Sequence, residues 1–186
     1  MTLNIIQSNY RPTIIISGQP MDVLQTLVRG LHADEVYVCT NHPERYQNVQ
    51  FVAEKDLTRA LIKDKELHRI LIYDAKPTRR SELSWIFSIG KMRNVTTILL
   101  TNDYKGLPET YRKFCSHTIP HNETEEVLEM IDAAMGTDYK VEYSPREMCI
   151  VHNQEHLSRG SKIQHTYNRL PSEEHACIIS DADGTS

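Results

Sequence analysis

Residues 13–136 alternate between short apolar runs rich in β-branched residues and longer runs whose apolar residues recur at helical spacing. A buried strand is a continuous apolar run, whereas a covering helix is apolar on one face, so the pattern predicts alternating strands and helices. The predicted strands are Thr13–Ser17, Glu35–Cys39, Val49–Val52, Arg69–Asp74, Thr96–Asn102 and Ser116–Pro120. The predicted helices are Met21–Leu31, which Pro20 would begin, Asp56–Asp64, Ser81–Lys91 with Ser81 as N-cap, Leu107–Phe114, and Asn122–Gly136 with Asn122 as cap and Gly136 as terminator.

This order predicts an α/β fold, in which a three-layer, mostly parallel sheet is covered by helices on both faces. The pattern weakens after Gly136, where Met148–Val151 is the one run predicted to add an edge strand. We therefore predict an α/β domain at residues 1–136 and an irregular C-terminal extension at 137–186, ending in a polar tail with a short apolar patch.

Polar residues end three of the predicted strands. They are Ser17, Gly18 and Gln19 after the first strand, Asp74 on the fourth, and Thr101 with Asn102 on the fifth. Ligands of parallel sheets bind at the carboxyl ends of the strands. A P-loop NTPase has the same outline, with phosphates bound after the first strand, a carboxylate for magnesium, and a polar sensor between them.

The stretch Gly90–Ile119, GKMRNVTTILLTNDYKGLPETYRKFCSHTI, resembles the viral genome-packaging ATPases of the FtsK/HerA group. That family has a helix ending in Gly-Arg-His, then Asn, an apolar strand with a polar sensor, a Leu-Pro turn, and an Arg before a short strand. The residues in those places are Gly90, Lys91, Asn94, Ile98–Leu100, Asn102, Leu107, Pro108 and Arg112. RILIYD resembles the acidic strand of the family and IIISG its first strand, so the resemblance covers Thr13 to Met135. It implies that the Thr96–Asn102 strand separates the Asp74 strand from the Thr13–Ser17 strand.

The chemistry of the family is incomplete in this chain. The phosphate loop G-x-x-x-x-G-K-[ST] is absent, since the chain reads GQPMDVLQ from Gly18. Pro20 lacks an N–H, Asp22 adds negative charge where a triphosphate would lie, and Ala75 replaces the carboxylate that would polarise water. One charge contact to a transferring phosphoryl group contributes ~100- to 1000-fold in rate, so losing several leaves little catalysis.

We therefore predict a catalytically degenerate relative, acting as a structural or assembly component of a large DNA virus particle. Its relic nucleotide pocket would comprise Ser17, Gly18, Gln19, Asp74, Asn102 and Arg112. No cofactor or metal is expected. The predicted partners are viral structural proteins, an active ATPase subunit or further copies of the chain, in the virion or in the host cytoplasm or nucleus. The alternatives are an active NTPase with an atypical phosphate loop, in which Arg112 reaches the phosphate of a neighbouring subunit, and an unrelated protein-binding module.

Several motifs also have plainer interpretations. The region around Gly18 can be a simple strand-to-helix turn, Asp74 a turn carboxylate, and TNDYKG a turn-forming loop. Lys76, Arg79 and Arg80 fit a solvated loop better than an anion site. HNQEH, residues 152–156, spells the zinc motif H-x-x-E-H, but no helical pattern surrounds it. We assign Trp85, with its apolar neighbours, to the core.

Composition adds few constraints. The net charge of −4 gives no reason to expect nucleic-acid binding, although local basic patches remain compatible with it. The four cysteines form no CxxC pair, and Cys39 and Cys115 lie in or beside predicted strands, which favours buried free thiols and a reducing compartment. The N-terminus has no signal-peptide pattern, and no apolar run is long enough to span a membrane.

Overall fold

A computed structural model of the chain describes residues 11–18, 20–78, 81–121, 123–135, 147–152 and 165–168. The strands are β1 (Thr13–Gly18), β2 (Glu35–Thr40), β3 (Gln50–Phe51), β4 (Arg69–Asp74), β5 (Val95–Thr101), β6 (His117–His121), β7 (Glu147–His152) and β8 (His165–Asn168). The helices are α1 (Pro20–Leu31), α2 (Leu57–Leu61), α3 (Glu82–Ile89), α4 (Glu109–Phe114) and α5 (Glu125–Met135). Short 3₁₀ turns lie at Pro43–Arg45, Glu54–Asp56 and Gly90–Arg93.

The strands form one sheet in the order β3-β2-β4-β5-β1-β6-β7-β8. The first six are parallel to one another, whereas β7 is antiparallel to β6 and β8 is antiparallel to β7. β5 lies between β4 and β1, as the resemblance to the packaging ATPases requires. The predicted α/β fold with a mostly parallel sheet is confirmed.

Both faces of the sheet are covered, because alternate residues of each buried strand point to opposite sides. On β4, Leu71 and Tyr73 pack in one core with α3 and α5, whereas Ile70 and Ile72 pack in the other with α1. Ile15 and Ile16 of β1 divide in the same way. These three layers explain why the central strands read as continuous apolar runs.

Several element bounds differ from the predictions. α2 ends at Leu61, because the polar sequence from Lys63 onwards offers no further apolar face to bury. α3 ends at Ile89 and continues as a 3₁₀ turn to Arg93. α5 begins at Glu125, and Asn122 and Gly136, its predicted cap and terminator, lie outside the described residues.

The prediction for the far side of the sheet was incomplete. Met148–Val151 lies within β7, but β8 pairs with β7, so β7 is not the edge strand. β8 was not predicted because its sequence, HTYN, is polar and carries no apolar run. These two strands extend the sheet of the first domain, while the predicted boundary at residue 136 stays a prediction.

Two predictions about individual core residues had opposite outcomes. Trp85 is 46% exposed on α3, so its assignment to the core was wrong, although Ile86 and Phe87 beside it are buried. Cys39 and Cys115 are buried thiols, as predicted. Burial raises the pKa of both thiols to about 11, so they remain protonated at neutral pH.

Candidate functional site at the carboxyl edge of the sheet

The polar strand ends predicted from the sequence lie in one row along the carboxyl edge of the sheet. Thr40 pairs with Asp74 across β2 and β4. Ser17 pairs with Thr101 across β1 and β5, and Gly18 with His121 across β1 and β6. Neighbouring strands lie about 4.8 Å apart, so Asp74 and Ser17, two strands apart, are separated by roughly 10 Å across the sheet. The fold thus brings together the acidic strand, the sensor strand and the first strand.

The connection between β1 and α1 is a single residue. β1 ends at Gly18 and α1 begins at Pro20, so only Gln19, which lies outside the described residues, separates them. Gly18 has a φ of +87°, and a Cβ there would lie 1.9 Å from the carbonyl oxygen of His121. Glycine is therefore required by the close approach of β6. Ser17 is fully buried, and its Oγ has no hydrogen-bond partner within the described part of the chain.

Asp74 is held by two hydroxyl groups. The Tyr46 hydroxyl donates to Asp74 Oδ2 at 2.8 Å, and the Thr40 hydroxyl donates to the same oxygen at 3.1 Å. The backbone N–H of His42 donates to Thr40 Oγ1 at 2.9 Å. Asp74 shares its side of β4 with Ile70 and Ile72, and therefore faces the α1 layer.

Tyr46 reaches Asp74 because the chain folds back after β2. Pro43 begins a 3₁₀ turn, and the N–H of Tyr46 donates to the carbonyl of Pro43 to close it. The Tyr46 ring is 5% exposed and packs in the α1-side core. Burial, followed by the negative charge of Asp74, raises the pKa of Tyr46 above its ordinary value, so the hydroxyl keeps its proton. Sequence analysis missed Tyr46, since nothing local links it to a carboxylate 28 residues later.

The predicted sensor, Asn102, lies in a turn that fixes the loop after β5. The N–H of Asp103 donates to Thr101 Oγ1 at 3.0 Å, and the N–H of Gly106 donates to Asp103 Oδ1 at 2.9 Å. Asn102 itself is exposed at the carboxyl edge. This geometry agrees with the plainer interpretation of TNDYKG as a turn and leaves the amide of Asn102 accessible.

Arg112 is not on the row of strand ends. It lies in α4, and its guanidinium carbon is 5.9 Å from the centroid of the buried Tyr104 ring, a distance at the outer limit for a cation–π contact. The side chain is partly exposed. The structure therefore joins Ser17, Gly18, Asp74 and Asn102 at one edge and places Arg112 beside the loop that follows β5.

The loop after Asp74 is anchored by Tyr111 of α4. The Tyr111 hydroxyl lies 2.8 Å from the carbonyl oxygen of Thr78 and 2.7 Å from Ser81 Oγ. Ser81 is the N-cap residue of α3, as predicted, although its hydroxyl makes no capping hydrogen bond. Lys76 is exposed, and Arg79 and Arg80 lie outside the described residues.

Asn94, which the packaging family places before its sensor strand, lies at the opposite, amino edge of the sheet. Its φ is +61°, its Oδ1 accepts from Arg11 Nε at 2.5 Å, and its amide donates to the carbonyl of Glu66 at 3.1 Å. Its role in this chain is thus to close the turn before β5.

The first histidine of the zinc motif lies in a strand rather than in a helix. His152 is the last residue of β7, and residues 153–156 lie outside the described part. Within the described residues, no three His, Cys, Asp or Glu side chains are grouped to hold a metal ion. Those same residues include no helix that is both long and apolar enough to cross a membrane.

The parallel sheet with β5 between β4 and β1, and the acidic and polar strand ends, define an α/β domain of the viral packaging-ATPase type. The chain belongs to the Poxvirus A32 protein family, whose model matches residues 31–185. No curated protein matches the sequence.

Solved structures share the fold at low sequence identity. B204, the DNA-packaging ATPase of Sulfolobus turreted icosahedral virus, matches with a TM-score of 0.62 at 11% identity, covering 88% of this chain and 100% of that one. The genome-packaging NTPase B204 of Sulfolobus turreted icosahedral virus 2, in complex with AMPPCP, gives 0.61 at 9% identity, with coverages of 87% and 99%. EssC (ATPases 2 and 3) from Geobacillus thermodenitrificans gives 0.54 at 11%, covering 90% of this chain and 41% of that one. The predicted resemblance to the viral packaging ATPases is thus confirmed.

Proposed function

We propose that this chain is a packaging-ATPase-like protein that does not hydrolyse nucleotide and acts as a structural or assembly component of a virus particle. The observation that carries the proposal is the one-residue connection between Gly18 of β1 and Pro20 of α1. A phosphate loop wraps a polyphosphate with several consecutive backbone N–H groups and a lysine. A single intervening residue followed by proline offers too few donors, and no lysine follows.

Gly18 is held close to the neighbouring strand β6. Its α-carbon approaches the β6 backbone so closely that even a methyl group would collide with the carbonyl oxygen of His121. In this chain the glycine serves the packing of β1 against β6. This supports the interpretation of the region as a compact turn on an ATPase scaffold.

The magnesium ion that the fold family implies also lacks suitable ligands here. Magnesium requires near-octahedral oxygen ligands at about 2.1 Å, including the P-loop hydroxyl and an acidic residue. The first turn of α1 carries Met21 rather than Ser or Thr, and Asp74 Oδ2 already accepts two protein hydrogen bonds. A cation at Oδ2 would have to share that oxygen with two donors, and the P-loop hydroxyl is missing, so the residues present do not fit the ion.

An assembly role explains why the chain keeps the ATPase fold although it lacks the residues for nucleotide hydrolysis. The proposed partners are viral structural proteins, an active ATPase subunit of the same fold, or further copies of this chain. The proposed location is the virion, or the cytoplasm or nucleus of the host cell. Arg112, partly exposed on α4, then contributes to the surface of the domain and to its contact with Tyr104 rather than to phosphate chemistry.

The test is nucleotide binding and turnover by the full chain. Fluorescent ATP is titrated with magnesium to about 1 mM, the upper end of ordinary KM values, and phosphate release is followed in parallel. We expect no saturable binding and no turnover above buffer. Asp74→Asn serves as the matched variant and should behave as the wild type does. Magnesium-dependent hydrolysis that Asp74→Asn abolishes would reject the proposal in favour of an active NTPase with an atypical loop.

The assembly role has its own measurement. The chain is mixed with a nucleotide-hydrolysing protein of the same fold from the same virus, and the mass of the complexes is measured by light scattering after size exclusion. We expect either co-elution or a defined homo-oligomer. A monomer that neither self-associates nor alters the mass of the active protein contradicts this part of the proposal.

A further inference from the structure

We infer that the Tyr46 hydroxyl holds Asp74 in place of a metal ion, so that Thr40, Tyr46 and Asp74 form a metal-independent hydrogen-bonded lock on the carboxyl edge of the sheet. The three residues are called the Asp74 lock below. The inference deepens the proposed function and rests on it for the absence of a bound cation, but its main test concerns folding alone.

The proton directions in the Asp74 lock are determined by its neighbours. The Thr40 oxygen accepts the N–H of His42, so its own proton is free to point at Asp74 Oδ2. Tyr46 has a single proton, and the carboxylate at 2.8 Å is a far stronger acceptor than the Met21 sulfur at 3.8 Å. Both protons therefore converge on one carboxylate oxygen, where they stabilise its charge as a cation would.

Because Tyr46 is buried, its hydroxyl is not easily displaced from Asp74. The Tyr46 ring packs in the α1-side core with Val38, Ile72 and Leu100 and is 5% exposed. Removing its hydroxyl from Asp74 would require either moving this ring into solvent or leaving a buried donor unpaired. A cation that displaced the Tyr46 hydroxyl from Oδ2 would have to meet this cost, so the lock disfavours an ion at that oxygen as well as replacing it.

The lock also ties three parts of the chain together. Thr40 ends β2, Asp74 ends β4, and Tyr46 closes the 3₁₀ turn that follows β2. Asp74 thus fixes the residue 41–46 segment over the end of the sheet.

The main experiment is a double-mutant cycle in metal-free buffer containing EDTA. The variants Tyr46→Phe, Asp74→Ala and the double variant are unfolded with urea beside the wild type. Tyr46→Phe keeps the ring and removes one hydrogen bond to a charge, so its unfolding equilibrium constant should rise about 10- to 150-fold. In the Asp74→Ala background the same change should have no effect or should stabilise, because it removes an unpaired hydroxyl.

Tyr37→Phe is the matched control. Tyr37 lies on β2, and its hydroxyl contacts a different carboxylate, Glu35 Oε2, at 3.3 Å. Its effect should add to that of Asp74→Ala, since the two residues share no partner. Additive effects of Tyr46→Phe and Asp74→Ala, like those of the control pair, would overturn the lock whatever the nucleotide assays give.

A second measurement uses only conservative variants, so it holds even where Asp74→Ala fails to fold. Manganese, as a probe for magnesium, is titrated into the wild type and Asp74→Asn, and free Mn²⁺ is followed by electron paramagnetic resonance. The inference expects identical curves for the two proteins. Manganese binding by the wild type that Asp74→Asn removes would overturn it.

Discussion

His68 is a polar residue buried at the amino edge of the sheet, 5% exposed and bonded through both ring nitrogens. Nδ1 lies 3.0 Å from the carbonyl oxygen of His32, which can only accept, so Nδ1 carries the proton. Nε2 then accepts from the Thr96 hydroxyl at 3.0 Å. This arrangement satisfies the neutral imidazole completely, and burial lowers the pKa of His68 below its ordinary value of 6.5.

The lowered pKa gives a pH dependence of defined sign. Between the unfolded and folded pKa values the unfolded chain binds the extra proton, so the free energy of unfolding must fall as pH falls below about 6.5. Urea unfolding from pH 7.5 to 5 should show a steeper loss of unfolding free energy in the wild type than in His68→Gln, because glutamine does not titrate. The eight other histidines are present in both proteins and do not account for a difference between them. Equal slopes in the two proteins would contradict the buried neutral imidazole.

The sequence did not predict contacts between side chains that lie far apart along the chain. Asp74 and Asn102 were identifiable because they end apolar strands, a purely local signal. Tyr46 contacts Asp74 only because a turn after β2 folds over β4, and Gly18 is required only because β6 passes beside it. Both facts depend on tertiary contacts that no periodicity encodes.

At the scale of elements, Tyr111 joins α4 to the loop between β4 and α3. Its ring meets Phe87 of α3 edge-to-face, with centroids 5.2 Å apart, while its hydroxyl reaches Thr78 and Ser81. The aromatic contact packs the two helices together, and the hydroxyl fixes the residues that follow Asp74. One side chain thus has two separable functions.

Tyr111→Phe separates those functions. The ring contact remains, whereas a buried hydroxyl with two partners is lost, so the free energy of unfolding should fall by about 1–2 kcal/mol. Amide hydrogen exchange at Ala75, Lys76 and Thr78 should accelerate while exchange in α3 stays slow. Ser81→Ala removes only one of the partners and should have a smaller effect. Unchanged exchange in the loop would mean that Tyr111 does not anchor it.

Helices and strands that are buried were predicted more accurately than exposed ones. β4 was predicted at its observed bounds because its four central residues, Ile70–Tyr73, are buried on both faces and read as a continuous apolar run between two charged residues. α2 was overestimated, since Lys63 and Asp64 are exposed and bury no further helical turn. β3 is shorter than predicted because only Gln50 and Phe51 pair with β2, although Val49 and Val52 beside them pack against the two cores. β8, polar and paired with only one described strand, gave no signal at all.

For the whole molecule, the central sheet is the element that both cores share. Leu99 on β5 points into the core beneath α3 and α5, and its neighbour Ile98 points into the core beneath α1. A strand cannot leave one core without leaving the other, so the two sides of the molecule should unfold together.

Leu99→Ala and Leu24→Ala test this coupling from opposite faces, because Leu24 of α1 is fully buried in the second core. Each should lower the free energy of unfolding by about 2–5 kcal/mol, a large fraction of ordinary domain stability. Trp85, the single tryptophan, lies on α3 and reports the first face by fluorescence, whereas far-ultraviolet circular dichroism reports both. Both probes should give one midpoint for each variant, and Met92→Ala, at an exposed residue, should barely move it. If Leu24→Ala shifted the dichroism midpoint and left that of Trp85 in place, the α1 layer would be unfolding independently of the rest, and the shared sheet would not couple the two cores.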